Sequence, residues 1–134
     1  MIVGVGFDLV AIARIEALVA RHGARAQDRL FTAGEQAYAA ARGRPAMHLA
    51  ARFAAKEAAY KALAGSEEAR AISWQEIEVV RTDGAPALVL HGRAEARARV
   101  LGVRRIHLSL THTDETAGAF VVLEAGGWRL KAES

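Results

Sequence analysis

Cysteine is absent from the 134 residues, which removes disulfides, thiolate catalysis and cysteine-ligated zinc together. Proline occurs only twice and aromatic residues make up 6% of the chain, so large rings cannot fill most of the core. No apolar run approaches the roughly 18 residues that a membrane-spanning helix needs; the longest clear one is Ala117–Leu123. Residues Met1 to Val10 lack a basic stretch and a cleavage-site pattern, so no signal peptide is expected. What the chain has in quantity is alanine, 31 residues of it, within a composition that is 52% hydrophobic and 25% charged. That is a globular composition rich in packed helix, not a disordered one. A single domain is expected over 1–125, with 126–134 as a loose C-terminal tail. The lack of cysteine suits the cytoplasm.

The net charge of +3 is unevenly spread. Residues 1–64 hold nine basic and five acidic side chains, and residues 65–134 hold nine and ten. A basic first half favours an anionic partner, whether a polyphosphate, an acidic protein or a nucleic acid.

Residues 2–9 alternate as a strand does, with Val3, Val5, Phe7 and Leu9 on one face and Ile2, Gly4, Gly6 and Asp8 on the other. The glycine face is nearly bare, so another element can approach it closely. Ile12, Ile15, Leu18 and Val19 repeat at helical spacing up to a stop at His22-Gly23. Thr32 to Glu35 has the form of a capping box opening a second helix that ends near Gly43. Pro45 suits the first turn of a long third helix reaching about Ala64, with Gly65 as its cap. Ile77 and Val79 mark a strand, Asp83-Gly84 a hairpin turn and Ala87–Leu90 its partner. A short Arg/Ala helix over 93–101 precedes strands at Ile106–Leu110 and Ala117–Leu123. The order β-α-α-α-β-β-α-β-β predicts an α+β fold, a mostly antiparallel sheet packed against one long helix.

The long helix carries the chemistry. Phe53, Glu57 and Lys61 are four apart and share a stripe. If Phe53 faces the core, a carboxylate and an ammonium lie on or beside the buried stripe. The plain alternative is a surface Glu–Lys pair contributing a few tenths of a kcal/mol. Asp8, a lone carboxylate beyond two glycines, could likewise be a helix cap. Together, however, Asp8 and Glu57 offer two hard oxygen ligands for Mg²⁺ that leave room for waters and phosphate oxygens. Lys61 adds positive charge for a polyphosphate.

These segments resemble the holo-acyl-carrier-protein synthase family of 4'-phosphopantetheinyl transferases. The resemblance runs through Gly4-Val5-Gly6-Phe7-Asp8-Leu9, Arg14-Ile15-Glu16, Phe31 to Glu35, Leu49 to Ala62, Trp74 to Val79 and His107 to His112. One segment departs from the pattern: Ala64-Gly65-Ser66-Glu67-Glu68 stands where the family usually has a Gly-Thr-Gly-like loop. The resemblance implies transfer of 4'-phosphopantetheine from coenzyme A to a serine of an acidic apo-acyl carrier protein, releasing adenosine 3',5'-bisphosphate, for lipid synthesis. It implies Asp8 and Glu57 as Mg²⁺ ligands and Lys61 at the pyrophosphate. It implies His112 near the coenzyme phosphates, with Arg52 a further phosphate candidate, and Gly65 and Ser66 offering donors from the loop. Arg14 would meet the carrier. A homotrimer with active sites near subunit boundaries follows from the same resemblance. The serine proton goes either to Glu57 or to a water on the metal. A relative that binds coenzyme or carrier without turnover is a further possibility.

Other features carry less. Leu9 stands where a dinucleotide fingerprint needs its third glycine. His107 and Ser109 read as an exposed or hydrogen-bonded strand face. His22, His48 and His91 have no metal-site spacing. Arg93, Arg97, Arg99, Arg104 and Arg105 could form a nucleic-acid patch, but Glu95 and the lack of interleaved aromatics favour a solvated face. Arg14 and Arg21, seven apart, fall along one edge of the first helix, a natural docking edge for an acidic protein.

Overall fold

Pro45 opens the helix around which the rest of the chain is packed. The computed structural model describes residues 1–82 and 84–126. Its elements are β1 (Ile2–Ala11), α1 (Ile12–His22), α2 (Ala24–Leu30), α3 (Ala33–Ala40), α4 (Pro45–Leu63) and α5 (Glu67–Arg70). A 3-10 turn (Trp74–Glu76) leads into β2 (Ile77–Thr82), β3 (Ala85–Leu90), α6 (Gly92–Leu101), β4 (Val103–His112) and β5 (Thr116–Ala125). In α4 most side chains from Leu49 to Leu63 are buried, which a helix tolerates only if neighbours surround it. Alanine supplies the small side chains that let β1, β5, α1 and α3 close on it.

The α+β expectation holds, and every strand pairing is antiparallel. The strands form two sheets where the sequence suggests one: β1-β5-β4 and a separate β2-β3 hairpin. Helix α2 and the single-turn α5 are additional to the expected order. In α2 only Ala26 and Leu30 are buried, too few to leave a helical period in the sequence. The capping box at Thr32 is present, with the Thr32 hydroxyl accepting from the Glu35 amide and the Glu35 carboxylate from the Thr32 amide. Asp83 of the expected hairpin turn lies outside the described residues, as does the expected tail apart from Gly126.

The bare face of β1 is the one that meets α4. A β-carbon on Gly4 or Gly6 would collide with the carbonyl oxygens of Ala62 and Ala58 respectively. Between them and beyond, Val10 is buried while Val5, Phe7 and Leu9 point outward and stay more than half exposed, at 52%, 52% and 60%. Phe7 lies opposite Phe120 of β5, ring centroids 6.0 Å apart, and Phe120 is exposed too. The most apolar face of the strand is therefore not the core face.

Candidate functional site

Asp8 continues the glycine side of β1, so the close approach that seats the strand on α4 also delivers a carboxylate to the helix. Its Oδ1 accepts from Lys61 Nζ at 2.9 Å, and the same ammonium donates to the Phe7 carbonyl at 3.2 Å. Its Oδ2 is buried and accepts from no N–H or hydroxyl group. Glu57, one turn before Lys61, lies within hydrogen-bond reach of Asp8; burial first, then that hydrogen bond and the charge of Asp8, push its carboxyl up to about 7. Arg14 and Lys61 act in the opposite sense on Glu57. Lys61 is held above the usual lysine range, chiefly by its hydrogen bond to Asp8.

This geometry removes the plain alternative for each residue. Helix α1 is preceded by Ala11 with no side-chain cap, so Asp8 is not a cap. Lys61 pairs with Asp8 across 53 residues rather than with Glu57 on its own helix. Arg14 lies with its guanidinium 5.5 Å from the Phe53 ring centre, on the α1 side of the same cluster.

Two adjacent carboxyls, one with an unpaired buried oxygen, make a site that wants a proton or a cation. Among the described residues no group of three or more His, Asp or Glu side chains could hold a metal. Mg²⁺ does not require one, since it is commonly held by one or two carboxylates with waters and substrate phosphates. The Asp8–Glu57 pair fits that ion.

Arg52 and His112 stand elsewhere, bordering a cavity of about 350 Å³ together with His48, Arg81 and Ser109. Arg52 is 2% exposed; one guanidinium nitrogen donates to the His48 carbonyl at 3.3 Å and its Nε has no partner. Burial, followed by the charges of Arg52, Arg42, His112 and Arg81, holds His48 below the usual histidine range. Gly65 and Ser66 border a second cavity, of about 640 Å³, with Tyr60 and Arg70. There Ser66 caps α5, its hydroxyl accepting from the Ala69 amide at 3.0 Å.

The predicted site residues thus fall into three groups that do not share one cavity. Arg52 and Glu57 are five residues apart on α4, so they point about 140° apart around its axis.

Several contributors were not legible in the sequence. Lys56 and Glu35 form a fully buried ion pair at 2.8 Å. Lys56 also donates to the Trp74 and Ile77 carbonyls at 2.7 and 2.5 Å, while Glu35 accepts from the Val79 amide at 2.7 Å. Burial pulls Lys56 below the usual lysine range, against the opposing pull of Glu35. The pair ties α3, α4 and β2 together. The only signal of it in the sequence is a lysine set among alanines. Arg97, expected on a solvated face, instead donates to the Leu63 and Ala64 carbonyls at 2.8 and 3.1 Å. It closes the C-terminus of α4 and supports the Gly65 loop, because helix ends leave carbonyls that need donors. His107 is half-exposed and bonded to Glu124 at 2.9 Å.

Residues 4–119 match the model of the 4'-phosphopantetheinyl transferase superfamily. A holo-[acyl-carrier-protein] synthase of Anaeromyxobacter dehalogenans is 49% identical over 130 residues, covering 95% of this chain and 99% of that protein. The crystal structure of the Neisseria meningitidis holo-[acyl-carrier-protein] synthase is similar with a TM-score of 0.81 at 31% identity, covering 92% of this chain and 99% of that one. The Bacillus anthracis synthase, solved in complex with CoA (3',5'-ADP), is similar with a TM-score of 0.74 at 34% identity, covering 94% and 99%. The chain belongs to the 4'-phosphopantetheinyl transferase superfamily, and with that membership it is a transferase.

Proposed function

We propose that this protein is a holo-acyl-carrier-protein synthase that moves 4'-phosphopantetheine from coenzyme A to a serine of apo-acyl carrier protein, with Mg²⁺, releasing adenosine 3',5'-bisphosphate. The observation that carries the reading is the Asp8–Glu57 pair, with its unpaired buried oxygen and Lys61 alongside. Both carboxylates would hold the ion, which supplies charge neutralisation at the pyrophosphate when bound. Lys61, more than half exposed, is free to swing from Asp8 toward a phosphate and to stabilise the leaving phosphate's charge. In the transfer the serine oxygen forms a bond to the phosphorus bearing pantetheine. The bond from that phosphorus to the bridging oxygen of the 5'-phosphate breaks. Glu57, or a water beside it, takes the serine proton. The nucleophile belongs to the carrier, which accounts for a site without a cysteine or serine nucleophile of its own.

Arg52 and His112 receive the coenzyme's remaining phosphate, and the Gly65–Ser66 loop receives its body. Because Arg52 and Glu57 diverge around α4, one chain cannot easily present both to one coenzyme. The exposed Val5, Phe7, Leu9 and Phe120 supply the missing element: an apolar face by which copies associate. A homotrimer that sets one copy's Arg52 cavity beside another's Glu57 completes the site. Arg14, whose charge reaches Glu57, and Arg21, both exposed on α1, form the docking edge for an acidic carrier. Residues 1–125 act as one domain. No helix among the described residues is long and apolar enough to cross a membrane, and both substrates are water-soluble, which supports action in the cytoplasm.

The test is mass spectrometry of apo-carrier incubated with this protein, coenzyme A and Mg²⁺. A mass gain of one phosphopantetheine, lost when the metal is chelated, is expected. An unchanged carrier mass removes the reading.

A further inference from the structure

Behind the Arg52 cavity lies a second layer of side chains centred on Tyr38. Tyr38 of α3 has two guanidinium groups stacked on its ring, Arg42 at 3.5 Å and Arg52 at 4.0 Å from the centroid. The Tyr38 hydroxyl accepts from Arg81 of β2 at 3.2 Å, and its ring meets His48 edge-on at 5.6 Å. One phenol thereby organises three arginines and a histidine drawn from α4, β2 and the segment after α3. Among the described residues, no carboxylate forms an ion pair with Arg42 or Arg52. The nearby charge of Glu35, which favours the charged form of Arg52, is already committed to Lys56.

Such an arrangement is costly without a ligand. Like charges are held together, and a buried guanidinium keeps an Nε–H with no acceptor, which forfeits the desolvation of that group. Its compensation is a preformed site for a doubly charged anion, since arginine forks match phosphate oxygens and need no rearrangement when already fixed. Burial works to raise the Tyr38 phenol, and the hydrogen bond and charge of Arg81 with the charges of Arg42 and Arg52 outweigh it, leaving it below the usual tyrosine range. The ring therefore feels the concentrated positive charge directly.

We infer that Tyr38 is a positioning residue that holds Arg52 and Arg81 toward the cavity and so makes the enzyme select coenzyme A bearing its ribose 3'-phosphate over the dephosphorylated coenzyme. The inference rests on the proposal that Arg52 and His112 receive coenzyme. The pyrophosphate is where the bond breaks and belongs with Asp8, Glu57 and Lys61. The 3'-phosphomonoester is the anionic group left to be recognised, and its dianion suits several convergent arginines. Tyr38 itself touches no substrate; it acts through the guanidinium groups stacked on it.

Carrier modification is measured with coenzyme A and with 3'-dephospho-coenzyme A, for the wild type, Tyr38→Phe and Tyr38→Leu. The preference for coenzyme A in kcat/KM should fall about tenfold in Tyr38→Leu through KM for coenzyme A, the size of one lost charge-assisted contact. The dephosphorylated donor should be used as before. Tyr38→Phe keeps the ring and loses the Arg81 bond, so it should retain most of the preference. Equal losses with both donors, or no loss with either, would overturn the inference. If Tyr38→Leu fails to fold, Tyr38→Phe decides through a smaller but donor-specific rise in KM. Calorimetric titration of the wild type with adenosine 3',5'-bisphosphate and with adenosine 5'-monophosphate separates this inference from the transfer reading. Equal affinities overturn the inference even if turnover is normal. Discrimination in binding without carrier modification supports the anion site and removes the transferase reading.

Discussion

Gly6 of β1 and Ala58 of α4 are in such close contact that a β-carbon on residue 6 would overlap the Ala58 carbonyl. That contact sets the distance between strand and helix, and two residues further along the strand Asp8 arrives beside Glu57. Gly6→Val should therefore separate the two elements. We expect a loss of about 1–3 kcal/mol, the usual cost of overpacking, and a fall in transfer activity larger than the lost stability accounts for. Thermal unfolding and turnover measured on the same samples check it; full activity at a lowered melting temperature would show that Asp8 and Glu57 do not depend on this contact.

The carboxyl pair predicts how the metal-free protein responds to pH. Glu57 has its folded-state value near 7 against an ordinary value of 4.5. The folded state thus prefers the protonated group. Its contribution is complete below about pH 4.5 and is lost as pH rises toward 7. Glu57→Gln should flatten this component of the melting temperature against pH. Asp8→Asn should keep the fold, abolish most turnover and weaken the response to Mg²⁺; wild-type rates at low Mg²⁺ would take Asp8 out of the metal site.

Removing one member of the Lys56–Glu35 pair leaves a charge buried in the core. Lys56→Met should cost about 3–5 kcal/mol, and adding Glu35→Gln should recover part of it because no unpaired charge remains. Denaturant unfolding of the single and double variants measures the coupling. A double variant no more stable than Lys56→Met would show that the lysine's value lies in its bonds to Trp74 and Ile77 alone.

The exposed β1–β5 face predicts assembly. Phe7→Glu places a charge where copies are proposed to meet, opposite Phe120. Light scattering should change from trimer to monomer, and activity should be lost at micromolar concentration while the circular dichroism stays native. An active monomer would show that one chain holds a complete site.

Arg14→Ala should raise KM for the carrier severalfold, leave coenzyme A binding nearly unchanged and flatten the salt dependence of kcat/KM, because a charge at the rim acts mainly on encounter. Stopped-flow or steady-state assays across a salt series read both. A rise in KM for coenzyme A with the carrier KM unmoved would reassign Arg14 to the nucleotide site beside Glu57.

Local chemistry settled much of this protein in advance. The Thr32–Glu35 capping box, Pro45 at the head of α4 and the alternation in residues 2–9 act between near neighbours, so the sequence alone determined those elements. It also singled out Asp8, Glu57 and Lys61, which the fold brings together. What it left open depends on contacts across tens of residues. Only the tertiary structure decided that the glycine face of β1, not the Val5-Phe7-Leu9 face, meets the core, since a helix of alanines offers a closer seat than any sheet of large side chains. Only the fold joined Lys56 to Glu35 and Tyr38 to Arg42, Arg52 and Arg81. The spacing of Arg52 and Glu57 on a helix already turned them to different sides, but only the packed fold decided what each one meets there: His48, Arg81 and His112 around the Arg52 cavity, and Asp8 beside Glu57.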